Sequence, residues 1–436
     1  MSIDILLPAI TPTMEEASIV KWLVNEGDYI AKGDLLAEVE TDKSVVEIES
    51  FDEGVLETIF VREGQVNVDT VIARLVEGKK NSKDVELTKA KDEKVTAVVA
   101  NNTSQGFNDP TTRQISLKAA LLEALIQEMK RDPNVYYMGE DVGVAGGIFK
   151  QTEGLFDEFG SQRVIDTPIS EAGMFGIAVG SAMSGMRPIV EIMFGDFITL
   201  VMDQLVNHAA KVHYLSAGKF SVPMVLRTAI GVGGVLGATH SQSLHAWLAH
   251  IPGLKVVMPS CPSDAKGLLA GAIRDNNPVI FFEDRMTYND KGLVAEEDFV
   301  IPLGKADVKQ QGSDVSIIAI SRTVQAALTA AEMLAKEGIS VEVIDPRTIA
   351  PLDAETIIQS VKKTSRAIVI DGGHELYGVT GEIAALIGEK AFDYLDAPVM
   401  RIGAPHTPIP YNKVLEPLMI PNAEQIVEKI KQMFGK

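Results

Sequence analysis

Asp166-Thr167-Pro168-Ile169-Ser170-Glu171-Ala172-Gly173-Met174-Phe175-Gly176-Ile177-Ala178-Val179-Gly180 runs from the end of a short apolar strand into a helix. Proline and serine suit a helix start, and a carboxylate in the first turn is favoured by the helix dipole. Gly173, Gly176 and Gly180 then fall on one helix face. Each glycine costs roughly 1 kcal/mol against alanine in a helix interior, so three at this spacing predict very close packing of another backbone or a ligand. The residues alone leave Glu171 open between a capping carboxylate and a catalytic one.

Outward from this stretch, apolar strands alternate with helical runs. A helix is expected over 117–129 and strands over 135–138, 164–165, 188–191 and 224–226. That alternation is the pattern of a mostly parallel α/β sheet, which binds ligands at the carboxyl ends of its strands. After Leu303-Gly304 a second run of the same kind begins, with strands expected over 315–320, 341–344 and 367–370. Gly231-Val232-Gly233-Gly234-Val235-Leu236-Gly237 follows a strand, but its glycines miss the G-x-G-x-x-G spacing and no ribose-binding acid stands clearly about 20 residues on. They read instead as the loop that carries His240.

The front of the chain is of another kind. Val24-Asn25-Glu26-Gly27 lies over Val61-Arg62-Glu63-Gly64, and at the same offset Leu35 falls on Ile72, so each half offers strand, glycine turn, strand. Between the halves, alternation over 45–50 has the period of two of a half-buried strand. Thr41-Asp42-Lys43-Ser44 becomes the polar tip of a hairpin. Most turn lysines are merely solvated. Here residues 1–79 hold 17 acids against 6 bases, a net charge of −11, and Lys43 is the only cation between Lys32 and Arg62. Such a lysine reads as one held out for modification. Residues 79–112 are polar, mixed in charge and poor in aromatics, which predicts a flexible linker.

With 436 residues, 46% hydrophobic and 23% charged, the composition is that of ordinary globular domains, three in number. One cysteine, Cys261, excludes an internal disulfide framework and fits a reducing compartment. No secretory leader or long apolar run is apparent, so bacterial cytoplasm is the expected location. A net charge of −20 argues against nucleic acid and anionic membranes as partners.

The repeat and Lys43 resemble the lipoyl domain, an all-β flattened barrel of two four-stranded sheets, over residues 2–78. The resemblance implies lipoate in amide linkage on Lys43, and an enzyme that attaches it. Biotin is the rival, but biotin acceptor lysines usually sit between methionines, where this chain has Asp42 and Ser44.

The run 166–171, with Gly185-Met186-Arg187-Pro188-Ile189-Val190-Glu191, Asp203-Gln204, His240-Ser241-Gln242 and Pro252-Gly253-Leu254-Lys255-Val256-Val257, resembles the beta subunit of thiamine-diphosphate-dependent 2-oxoacid dehydrogenases. This implies an α/β transketolase-like pyrimidine-binding domain over 113–295 and an α/β transketolase C-terminal domain over 305–434. It implies roles as well. Glu171 would hydrogen-bond N1′ of the cofactor aminopyrimidine, while Phe197 would stack on that ring and Met193 line its pocket. His240 would donate a proton during transfer to the lipoyl group, work that suits a reference pKa of about 6.5. Without the resemblance, Phe197 and Met193 would read as core. Met224, Ala272, Ile273, Asp275 and Asn277 match positions that hold potassium in some relatives.

The Gly-Asp-Gly segment that binds diphosphate through Mg2+ is not found, so the resemblance implies an alpha subunit that supplies it, in an alpha2beta2 heterotetramer. A lipoyl acyltransferase core and a dihydrolipoyl dehydrogenase complete the implied complex. The expected reaction is oxidative decarboxylation of pyruvate with reductive acetylation of a lipoyl group. Acetoin is the second substrate expected and branched-chain 2-oxo acids the third, and a non-catalytic lipoyl carrier or docking subunit is the alternative from another class. Glu171 and His240 together argue against that alternative, since a scaffold needs neither.

Overall fold

The computed structural model describes residues 2–7, 16–40, 45–50, 52–62, 64–68, 70–76 and 112–435. It divides into two units, Met1–Asn101 and Asn102–Lys436. Lys43 and the expected linker lie outside the described residues, except that Thr112 opens a strand.

In the first unit the strands are β1 (Ser2–Leu6), β2 (Glu16–Trp22), β3 (Tyr29–Ile30), β4 (Leu35–Glu40), β5 (Val45–Glu49), β6 (Gly54–Ile59), β7 (Gly64–Asn67) and β8 (Val71–Val76). They form two four-stranded sheets, in the orders β1-β8-β6-β3 and β5-β4-β2-β7, with every pairing antiparallel. Ile19, Leu36, Val39, Leu56, Ile72 and Leu75 fill one apolar core between them. The flattened barrel expected from the sequence is present. β4 pairs with β5 with Glu40 opposite Val45, and the four residues between them include Lys43.

One reading of the internal repeat needs correction. Gly27 and Gly64 both adopt left-handed backbone, φ +100° and +108°, as the superposed turns require. Leu35, however, is 40% exposed whereas Ile72 is buried. The residue equivalent to Ile72 is Leu36, since Leu36, Ala37 and Val39 repeat the buried pattern of Ile72, Ala73 and Leu75. The halves therefore match at an offset of 37 in the turn and 36 in the strand, because the intervening loop is one residue shorter in the second half.

In the second unit, β9 (Thr112–Ser116) precedes a helix, Leu117–Arg131, capped by the Ser116 hydroxyl, which accepts from the Ala119 amide at 3.2 Å. There follow β10 (Val135–Gly139), β11 (Val164–Asp166), β12 (Arg187–Phe194), β13 (Val225–Ile230), β14 (Lys255–Val257), β15 (Val279–Asp284) and β16 (Lys291–Ala295), the last pairing back on β9. β11-β10-β12-β13-β15-β14 run parallel in one sheet. β13 and β15 are buried at every position, as strands covered on both faces must be. The charges among them are paired: Arg227 meets Glu283 through two hydrogen bonds, 2.6 and 2.9 Å, and donates to Tyr137 at 2.8 Å.

Further on come β17 (Asp307–Gln310), β18 (Val315–Ala319), β19 (Val341–Asp345), β20 (Thr348–Ala350), β21 (Ala367–His374) and β22 (Met400–Ala404). Five of them make a second sheet, β17-β19-β18-β21-β22. β20 does not join it. It pairs antiparallel with β14 and becomes the seventh strand of the first sheet. Where the two sheets' elements meet, Asp264 takes Lys309 at 2.5 Å and Arg347 at 2.6 Å, and Ser260 donates to Asp345 at 2.5 Å.

On the glycine face of the helix Glu171–Met183, a Cβ at Gly173 would meet only the Ser170 side chain, at 2.9 Å. A Cβ at Gly180 would meet nothing within 4 Å, and one at Gly176 only the Gln204 side chain at 3.8 Å. Ile177 on the same helix is 65% exposed. No described backbone of this chain covers that face.

Candidate functional site

Every residue expected in catalysis lies just past the carboxyl end of a parallel strand. Glu171 follows β11 and is the first residue of its helix, where backbone N–H groups and the dipole favour a carboxylate. Glu140 follows β10. It is 8% exposed, and its Oε1 finds no partner among the described residues. Burial, and then the charge of Glu171, raise its pKa. Two carboxylates are thus held close at the ends of adjacent strands, an arrangement that favours a proton resident on one of them.

β12 ends in Phe194, and the tight 3-10 turn Gly195–Val201 that follows presents Phe197. The helix Glu171–Met183 packs on both β12 and this turn. A Cβ at Gly195 would strike Ile230, so glycine is required for that approach. Past β13, the loop 231–237 delivers His240 to the same place. Its imidazole lies edge-on to Phe197, centroids 5.2 Å apart, and to Phe194 at 4.9 Å. Thr239 Oγ1 is 3.1 Å from His240 Nδ1. The structure therefore brings Phe197 and His240 together, while Met193 is a half-buried neighbour on β12.

The histidine loop is held from several sides. Arg285, just past β15, donates to the Gly233 carbonyl (2.5 and 2.9 Å), the His240 carbonyl (2.6 Å) and Ser241 Oγ (3.1 Å). Arg322 donates to the Val232 carbonyl at 2.7 Å. The Glu416 carboxylate accepts from the Gly233 amide at 3.0 Å and the Val235 amide at 2.9 Å. Val235 has φ +55°, a conformation that costs a branched residue roughly 1–3 kcal/mol and persists only where its surroundings over-determine it. Asp196, 6% exposed, accepts from Gln242 Nε2 at 2.8 Å and so ties the Phe197 turn to the segment after His240.

Glu140, Phe194, Asp196, Arg285 and Glu416 were not singled out from the sequence. A signal existed for Glu140, an acid directly after a strand of apolar residues whose end faces ligand. For Arg285 and Glu416 none did, because they act from 52 and 183 residues away on Gly233.

The positions expected to hold potassium also make hydrogen bonds within the chain. Arg187 donates to the carbonyls of Ile273 and Asp275, both at 2.9 Å. The Met224 carbonyl accepts from Val279 at 2.9 Å and the Ala272 carbonyl from Asp275 at 3.3 Å, while the Asp275 side chain takes Lys255 and Asn277. A carbonyl oxygen has two lone pairs, so these hydrogen bonds leave each of these carbonyls one for an ion. Among the described residues no cluster of three or more His, Cys, Asp or Glu side chains could hold a metal.

An aminopyrimidine, in contrast, suits the residues at the strand ends. They offer an aromatic face in Phe197, the carboxylate of Glu171 and the buried, unpartnered oxygens of Glu140 and Asp196.

Comparison with known proteins gives the same architecture. Family models described as the transketolase pyrimidine-binding domain, the transketolase C-terminal domain and the biotin-requiring enzyme domain match residues 113–291, 304–426 and 3–75. The chain is 42% identical to the pyruvate dehydrogenase E1 component subunit beta of Rhizobium meliloti, with all of both chains covered. Over 74% of its length it is 48% identical to the beta subunit of the Bacillus subtilis acetoin:2,6-dichlorophenolindophenol oxidoreductase, of which it covers 98%. Among solved structures, a split-gene transketolase described as an inactive beta4 tetramer superposes with a TM-score of 0.62 at 19% identity, covering 74% of this chain and 98% of that one, a likeness of fold.

Proposed function

This chain belongs to the family of dehydrogenase beta subunits that includes the pyruvate dehydrogenase E1 beta chains, with a biotin or lipoyl domain in front, and on that premise we propose that it works with an alpha subunit in the oxidative decarboxylation of pyruvate and the reductive acetylation of a lipoyl group. The observation that carries the reading is the convergence of Glu171, Phe197 and His240 past the ends of neighbouring parallel strands.

Thiamine diphosphate, when bound, supplies the carbon nucleophile that lets carbon dioxide leave a 2-oxo acid. This chain's part is narrower. Glu171 would hold the proton at N1′ of the aminopyrimidine, and burial, then the charge of Glu171, raise the pKa of Glu140 beside it. Phe197 gives the ring a face, and Met193 borders it. His240, its ring set between Phe194 and Phe197, hands a proton to the lipoyl sulfur as the disulfide opens. The diphosphate and its magnesium are assigned to the alpha subunit, since the sequence holds no Gly-Asp-Gly segment to bind them. The uncovered glycine face of the helix Glu171–Met183 supports a partner subunit there. Lys43 carries the lipoyl group, attached by a separate ligase, and the complex also holds an acyltransferase core and a dihydrolipoyl dehydrogenase in a bacterial cytoplasm. No described helix is long and apolar enough to cross a membrane.

The 48% identity to an acetoin enzyme supports one second reading, acetoin as substrate. One experiment separates the choices. The chain, isolated from its host, is mass-mapped at Lys43 and then mixed with the alpha subunit, thiamine diphosphate, magnesium and pyruvate, acetoin or a branched-chain 2-oxo acid. Acetylated lipoyl-Lys43 with pyruvate is expected. Acetylation with acetoin alone transfers the assignment to acetoin, and an unmodified Lys43 overturns the acceptor role. Glu171→Gln, with assembly intact, should lower turnover by roughly 10²–10⁴. A carrier subunit would be unaffected.

A further inference from the structure

The loop that delivers His240 is built from a backbone few sequences can adopt. φ is +99° at Gly231, +127° at Gly233, +93° at Gly234, +55° at Val235 and +74° at Gly237. Where left-handed residues alternate with ordinary ones, successive amide N–H groups turn toward a common concavity, a nest whose natural occupant is an anion. In phosphate-binding loops that occupant is a ligand. Here it belongs to the protein, because the two oxygens of Glu416 each take one amide, Gly233 N at 3.0 Å and Val235 N at 2.9 Å.

Glu416 opens a short turn, Glu416–Met419, in the C-terminal part of the chain, and is only 4% exposed. The same region grips the loop twice more: Val232 is buried in a small apolar cluster with Ala404, Ile409 and Met419, and Arg322 donates to the Val232 carbonyl. Arg285 secures carbonyls from the other sheet position. Arginines can hold only the loop's acceptors, and the donors need an acceptor of their own. A buried N–H left without one is costly, and the strain at Val235 would then drive the loop toward ordinary backbone. His240 lies three residues beyond Gly237, and its amide reaches back to the Gly237 carbonyl at 3.5 Å. Movement in the loop is therefore movement of the imidazole relative to Phe194 and Phe197.

We infer that Glu416 is a positioning residue: its carboxylate, seated as the internal anion of the Gly233–Val235 nest, fixes the loop that aims His240, so the C-terminal domain controls transfer to the lipoyl group. The inference rests on the proposed role of His240. It makes Glu416 dispensable for the earlier part of the reaction, which does not use that imidazole, and necessary for the later part.

The test uses the full chain assembled with its alpha subunit, thiamine diphosphate and magnesium, on whichever substrate it turns over. Reduction of 2,6-dichlorophenolindophenol reads the steps before transfer, and mass spectrometry of the acylated lipoyl domain reads transfer. Glu416→Ala is expected to keep dye reduction and to lose acyl transfer roughly 10²-fold, the scale of loss for a reacting group displaced by about 1 Å. Added formate, a free carboxylate for the emptied nest, should restore transfer. Glu416→Gln should resemble Glu416→Ala without formate, because an amide offers one acceptor oxygen and turns N–H donors toward the second amide. His240→Ala is the control and should lose acyl transfer with no response to formate.

If His240→Ala loses transfer while Glu416→Ala keeps it, or if Glu416→Ala loses dye reduction and transfer equally with no formate response, the inference is overturned. If His240→Ala keeps transfer, the role of His240 falls instead, and hydrogen exchange over 231–240 then decides. Unchanged protection in Glu416→Ala overturns the clamp, whereas lost protection that formate recovers upholds it.

Discussion

Asp284, the last residue of β15, stands against the base of the histidine loop, and a Cβ on Gly231 would come within 2.7 Å of its carboxylate. Burial pushes its pKa up to about 6, against the pull of Arg322, the Met286 amide and Arg285. The folded chain thus holds this proton more tightly than the unfolded chain, where an aspartate titrates near 3.9. The stabilisation from Asp284 is complete below about pH 4 and is lost as pH rises through about 6. Two pKa units correspond to about 3 kcal/mol, taken as an order of magnitude. Asp284→Asn keeps an acceptor for the Met286 amide and has no proton to lose. Urea midpoints should therefore shift in the variant's favour between pH 4 and pH 8. Equal pH dependence in the two proteins would mean that Asp284 is already ionised at pH 4.

Among the elements, the helix Glu171–Met183 has the plainest consequence for assembly. Gly180 lies in its interior, and an added methyl group would find nothing within 4 Å, so alanine there meets no clash within the chain. Gly180→Ala should raise the stability of the separate chain by about 1 kcal/mol through helix propensity alone. If the alpha subunit covers this face, the same methyl group should weaken assembly, measured as a rise in the dissociation constant between subunits. A more stable chain with unchanged assembly would remove this face from the interface. The sequence made this helix, its glycine stripe and strands over 135–138, 188–191, 315–320 and 341–344 readable, because each is a continuous local pattern. It could not reveal that the face is uncovered, since that depends on what other elements do. The same limit applies to the loop around Gly233: its glycines announce an unusual backbone, but Arg285, Arg322 and Glu416 arrive from distant segments with no motif of their own. In the barrel, the paired turns at Gly27 and Gly64 were legible, and the one-residue slip that buries Leu36 in place of Leu35 was hidden by a chemically identical neighbour.

For the molecule as a whole, the contact between the two α/β sheets is maintained by buried charge. Against the burial that would raise it, Lys309 and then Arg347 hold the Asp264 carboxyl below its ordinary range. Asp264→Asn would leave both cations short of a buried partner, a change that typically costs about 3–5 kcal/mol. Calorimetry of the full chain should show a lowered midpoint, and an unchanged one would mean that Asp307 and Asp345 compensate. β20 gives this seam a further meaning. It is only Thr348–Ala350, it falls within the segment 304–426 of the C-terminal domain, and yet it completes the sheet of the 113–291 domain, whose strand ends carry Glu171 and His240. A truncation that removed the segment after residue 300 would leave β14 as a bare, sticky margin inviting strand addition from any neighbour. The pyrimidine-binding and C-terminal segments therefore share a sheet, and the first keeps that edge covered only while the second stays docked.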